Sequence, residues 1–196
     1  MIVAKSNLEV AIKASLHAGK EIIRIYKDTK ADLELELKTD DSPLTVADRN
    51  ANEVILSYLS QTSLPVLSEE GGEIPYEVRK DWALFWMVDP LDGTKDFLRR
   101  NGEFTVNIAL ISNREPVLGV IYIPDRQVLY FAEKGSGAFK ITDVVWDDAA
   151  DWNKLLLRAV KLPLPMYREG VIVASSRSYV NVHVAAFVYN LREHGS

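Results

Sequence analysis

Residues 83–98 read ALFWMVDPLDGTKDFL. Six apolar residues run up to Asp89, long enough for a strand and too short for a core helix, so the spacing predicts a strand buried on both faces. Pro90 and Gly93 then force a turn, and 95–99 read as one helical turn. Downstream, FTVNIALI, PVLGVIYI and QVLYFAEK are rich in β-branched and aromatic residues. Asn113-Arg114 marks a turn between the first two, so the three form an antiparallel meander in outline. Gly135-Ser136-Gly137 reads as a hairpin turn and not as a phosphate loop.

Upstream, the apolar residues Leu8, Ala11, Ile12, Ile22, Ile23 and Tyr26 follow helical spacing. Leu33, Leu35 and Leu37 alternate with charge, which suggests a short strand or an exposed extended segment. Thr45 with Asp48 three residues on forms a capping box, so a second helix starts there. PVLSEE is a short strand ending in acid. Beyond 141 the pattern is harder to read, with GVIVASSR as a strand and HVAAFVYNLREH as a last helix. Helices first, strands in a run and a final helix point to an α+β layered domain.

Composition narrows the chemistry. The 196 residues contain no cysteine, so a metal must sit on oxygen or histidine. His17, His183 and His194 are scattered without metal-ligand spacing. Against 23 basic residues stand 28 acidic ones, a net charge of -5 with no basic face for a nucleic acid polymer. No apolar stretch is long enough for a membrane span.

Acids gather where strands and helices end: Asp48, Glu69-Glu70, and Asp89 with Asp92. Each has a plainer reading. Asp48 is a cap residue, Glu69-Glu70 a solvated pair, and Asp-Pro-Leu-Asp-Gly a well-formed turn. Together they suggest more. Carboxylates brought together repel, and a hard cation such as Mg2+ is their natural partner. The Leu91 carbonyl between the two aspartates offers a further oxygen. Gly93 gives the backbone freedom to turn, and Thr94 stands where a helix begins, with a hydroxyl and N–H groups for a phosphate. Such a set suits phosphoryl transfer.

Three motifs carry a resemblance: SEE at 68–70, DPLDGTKDF at 89–97 and NGEFTVNIALI at 101–111. They resemble the lithium-sensitive, magnesium-dependent phosphatase superfamily of inositol monophosphatase, fructose-1,6-bisphosphatase and the 3'(2'),5'-bisphosphate nucleotidases. DDSPLTVAD at 40–48 and VLSEE at 66–70 match as well, and DGTKDF followed by RRNGEFTVNIALI is closest to the nucleotidase branch. The resemblance implies a layered α/β/α/β/α sandwich. Residues 1–140 would be an α+β domain carrying the metal site, and 141–196 the start of an incomplete C-terminal α/β domain.

It also implies roles. Glu69, Asp89, Asp92 and the Leu91 carbonyl would hold two or three Mg2+ ions. Asp48 and Thr94, with Glu69, would orient and deprotonate the attacking water. Glu69, Leu91, Asp92, Gly93 and Thr94 would surround the substrate. The reaction implied is hydrolysis of adenosine 3',5'-bisphosphate to AMP and phosphate in sulfate assimilation, with 3'-phosphoadenylyl sulfate as a second candidate substrate. The expected location is the cytoplasm, free or peripheral at the inner face of the cell membrane. Inositol monophosphatase activity is the alternative within the superfamily. The resemblance further implies a Trp-Asp-x-Ala-Ala/Gly motif later in the chain. Trp146 to Ala150 imitate it, but they precede the VIVASSRS strand instead of following it, so Asp147 is not assigned. The motif's expected place lies past Ser196. A fragment that binds metal or nucleotide without turnover is therefore the rival expectation.

Overall fold

The computed structural model describes residues 6–28, 36–37, 43–145, 151–164 and 182–194. Contacts divide the chain into two units, Met1–Pro163 and Leu164–Ser196. The first unit opens with helix α1 (Asn7–Lys27), whose N-cap Ser6 side chain accepts from the Glu9 N–H. A two-residue ribbon, β1 (Glu36–Leu37) against β2 (Pro43–Leu44), leads to α2 (Val46–Leu59). Strand β3 (Val66–Ser68), the short α3 (Tyr76–Arg79), β4 (Leu84–Asp92) and α4 (Thr94–Leu98) follow. Then come β5 (Thr105–Ser112), β6 (Glu115–Ile123), β7 (Val128–Glu133), β8 (Gly137–Ile141), α5 (Trp152–Leu156) and β9 (Val160–Lys161).

Seven strands form one sheet in the order β3-β4-β5-β6-β7-β8-β9. Only β3 and β4 run parallel; every later neighbour is antiparallel. The meander is thus as expected. Asn113 and Arg114 both have positive φ, as a two-residue hairpin between right-twisted strands requires. Gly135 and Gly137 also have positive φ in the β7–β8 turn, consistent with a hairpin. Helix α5 and strand β9 lie in the stretch beyond 141 that the sequence pattern left unread, and β8 follows the Gly135–Gly137 turn.

Helices α1 and α2 pack on each other and on one face of the sheet, α1 over β5 and β6, α2 over β3 and β4. The core lies between, from Ile12, Ile22 and Ile55 on the helices to Trp86, Val106, Ile108 and Val120 on the strands. Each such side chain contributes about 1.5–3 kcal/mol. Trp86 is fully buried, and its indole N–H donates to Thr62 Oγ1 at 2.9 Å. Trp82 and Phe85 are half-buried and pack on each other. The expectation that β4 is buried on both faces is corrected: Met87 is 45% exposed, because the helices cover only one face. Ile121, on the same open side, is also exposed.

Close approach of α1 to the sheet depends on Gly19. A Cβ there would lie 2.4 Å from Cε1 of Tyr122, a ring buried too deeply to swing away. Alanine would add about 1 kcal/mol of helix propensity, but overpacking costs about 1–3 kcal/mol and at this distance falls at the upper end. Gly19→Ala should therefore lower the thermal midpoint, by about 2–4 °C per kcal/mol in a chain of this size. A midpoint equal to or above the parent's would refute the packing argument.

The second unit contains α6 (Val182–His194), the expected last helix. The strand expected at 170–177, Asp147, and Leu33 and Leu35 lie outside the described residues. Among the described residues no helix is long and apolar enough to cross a membrane.

Candidate active site

The candidate residues come from α2, the end of β3, and the β4–α4 junction. Asp48 sits in the first turn of α2. The Thr45 N–H and hydroxyl both donate to its Oδ2, at 2.8 and 2.6 Å. The capping box expected from sequence is therefore formed. The other oxygen, Oδ1, receives the Thr94 hydroxyl at 3.1 Å, across 46 residues of chain. Asp48 is 1% exposed, and burial pushes its carboxyl above the usual range, opposed by the Thr45 and Thr94 hydrogen bonds. A cap alone needs one oxygen. Here the second is committed to the strand end.

Parallel pairing of β3 with β4 brings the next acids together. The Glu69 N–H donates to the Val88 carbonyl at 3.0 Å, one residue before Asp89. Asp89 is pushed up to about 7, first by burial, then by the negative charges of Glu69 and Asp92 and a hydrogen bond with Glu69. The ladder between β4 and β5 shifts register between Asp89 and Asp92. Asp92 is exposed, and the Asn107 amide of β5 donates to its Oδ2 at 3.3 Å. Thr105 Oγ1 in turn donates to Asn107 Oδ1 at 3.1 Å. The Leu91 carbonyl lies 3.3 Å from the Thr94 hydroxyl, a second acceptor for the same proton.

Gly93 has φ +94 and precedes α4. Its carbonyl accepts the Asp96 and Phe97 N–H groups, which closes the first turn of that helix. Arg100 lies over the Tyr26 ring and donates to the Tyr26 carbonyl, fastening the end of α4 to α1.

Sequence reasoning missed Asn107 and two other polar residues. Asn52 is one turn after Asp48 on α2. Ser68 Oγ donates to its Oδ1 at 2.7 Å, and its amide donates to the Glu70 carbonyl at 3.4 Å. The i,i+4 spacing from Asp48 was the available signal, since it places both on one face of the helix.

The donor set is all oxygen: the carboxylates of Glu69, Asp89 and Asp92, and the Leu91 carbonyl beside them. Among the described residues no three acidic or histidine side chains close into a ready ligand shell. They form an open group in which Asp89 senses both neighbours. Clustered acids at mutual repulsion, without thiol or imidazole, fit a hard divalent cation.

A model of the inositol monophosphatase family matches residues 4–178. The 3'(2'),5'-bisphosphate nucleotidase CysQ of Salmonella typhimurium is 40% identical over 190 residues, 95% of this chain and 70% of that protein. The same enzyme of Escherichia coli K12 is 38% identical over the same shares. The crystal structure of CysQ from Bacteroides thetaiotaomicron superposes with a TM-score of 0.83 at 44% identity. That match covers 98% of this chain and 70% of that one.

Proposed function

Because the chain belongs to the inositol monophosphatase family, we propose that it hydrolyses the 3'-phosphate of adenosine 3',5'-bisphosphate to AMP and phosphate. The observation that supports this most is the Thr94–Asp48 hydrogen bond beside the Glu69, Asp89 and Asp92 carboxylates. In this reading the reaction serves sulfate assimilation in the cytoplasm, and the partner is a small nucleotide.

Glu69, Asp89, Asp92 and the Leu91 carbonyl are the ligands proposed for Mg2+. When bound, the cation offsets the charge of the transferring phosphoryl group and lowers the pKa of the attacking water. The protein's own groups do the rest. With the Thr94 hydroxyl proton directed to Asp48 Oδ1, the lone pairs of Thr94 Oγ are left to accept from a water. Burial raises the proton affinity of Asp48, so it can take the proton that passes from water through Thr94. The water oxygen bonds to phosphorus as the bond to the 3' oxygen breaks, and that oxygen takes a proton from solvent water to leave as the 3'-hydroxyl of AMP, while Asp48 returns its proton to solvent. Gly93, whose φ of +94 turns the chain into α4, and the Thr94 backbone are the groups that would face the phosphate oxygens.

Phosphate release with Mg2+ tests the reading, with adenosine 3',5'-bisphosphate and inositol 1-phosphate offered side by side. The nucleotide should give the larger kcat/KM, by about tenfold or more, the low end of what a mismatched group in a pocket costs. Asp92→Asn should reduce that rate by about a hundredfold, equivalent to a lost interaction of roughly 3 kcal/mol. Faster turnover of the inositol phosphate would move the substrate to the other branch. Turnover of neither would refute activity in this chain.

A further inference from the structure

Three hydrogen bonds around Glu69 close a ring. The Asn52 amide donates to the Glu70 carbonyl at 3.4 Å. The Glu70 N–H donates to Ser68 Oγ at 3.3 Å, and Ser68 Oγ donates to Asn52 Oδ1 at 2.7 Å. Glu69 is the residue spanned. Its own N–H is held on β4 by the Val88 carbonyl, and the Gly71 N–H closes the turn behind it on the Ser68 carbonyl at 3.1 Å. One side chain on α2 therefore holds the Ser68 hydroxyl on one side of Glu69 and the Glu70 carbonyl on the other.

Asn52 is 8% exposed, so water cannot readily replace the bonds it makes. Burial obliges both halves of the amide to find partners. Both halves are spent here on the two residues that flank Glu69.

We propose that Asn52 is a positioning residue, which with Ser68 fixes the Glu69 carboxylate beside Asp89 before a cation arrives. The inference rests on the reading of Glu69 and Asp89 as cation ligands. Groups that orient metal ligands without touching the metal are typically worth 10–100-fold in metal affinity.

The test is calorimetric titration of the full chain with Mg2+ alone, for the parent, Asn52→Ala, Ser68→Ala, the double variant and Asp89→Asn. Asn52→Ala and Ser68→Ala should each weaken Mg2+ binding by about tenfold or more, and the double variant little further, because both open one ring. A purely structural role would lower the melting temperature of the chelator-treated protein and leave the Mg2+ Kd unchanged. Parent affinity in Asn52→Ala, alongside loss in Asp89→Asn, overturns the clamp alone. Parent affinity in Asp89→Asn overturns the reading of the site and the clamp with it. If Asn52→Ala does not fold, Ser68→Ala opens the ring from the strand side and is decided by the same outcomes.

Discussion

Asp89→Asn should lower phosphate release by about a thousandfold or more and yet make the metal-free chain more stable at pH 8. The first effect follows from its proposed place at the centre of the cation site. Removing several kcal/mol of transition-state stabilisation costs about tenfold per 1.4 kcal/mol. The second follows from titration. In the folded chain Asp89 ionises at about 7 instead of 3.8, owing to burial and then to the charges of Glu69 and Asp92. Between those values the folded state holds a proton that the unfolded chain has released. The stability associated with the neutral carboxyl is present in full below 3.8 and is lost as pH rises through 7. Asparagine stays neutral throughout and does not incur that loss. With chelator present, the variant should exceed the parent by about 1–3 kcal/mol at pH 8, after allowing for partial solvent screening. The difference should vanish near pH 4. Denaturant melts at the two pH values measure it, and a variant less stable than the parent at pH 8 would contradict the assigned cause.

Gly93→Ala should be the most damaging substitution that removes no functional group. Its φ of +94 is strained for any residue with a Cβ, at about 1–2 kcal/mol. The added methyl would also lie 2.8 Å from the Glu103 carbonyl oxygen and 3.3 Å from Phe104 Cα. Both are backbone atoms and cannot rotate aside. Either the fold loses about 3 kcal/mol or more, or the β4–α4 junction shifts. A shift carries Thr94 away from Asp48, and a misplacement of about 1 Å is enough for a loss near a hundredfold. Steady-state kinetics with a thermal melt would separate the two routes. Parent values in both would show that the junction has slack this geometry denies.

What could be read from the sequence was local. Thr45 and Asp48 announced a helix start because both capping bonds lie within one turn. Pro90, Gly93, Asn113 and Arg114 punctuated the chain through their own backbone preferences. Met87 was misread because a strand's letters do not say what covers its second face. Strands β8 and β9 escaped notice because five residues of GAFKI and two of Val160–Lys161 carry too little periodicity. Glu69 and Asp89 were both singled out as acids at strand ends, but their adjacency depends on a parallel pairing that no short-range pattern encodes. Asn52, Ser68 and Asn107 are ordinary polar residues whose importance lies in their partners.

The register shift in β4 has one more consequence. On a regular strand, residues separated by three fall on opposite faces, since side chains alternate. Asp89 pairs with Asn107 and Asp92 with Thr105, so three steps on β4 match two on β5. The extra residue reverses the parity and lets two odd-spaced carboxylates influence one another. The irregularity at Pro90-Leu91 is therefore as constrained as the acids it separates. A regular ladder at the same three-residue spacing would keep every carboxylate in the sequence, turn Asp92 to the face opposite Asp89, and disperse the site.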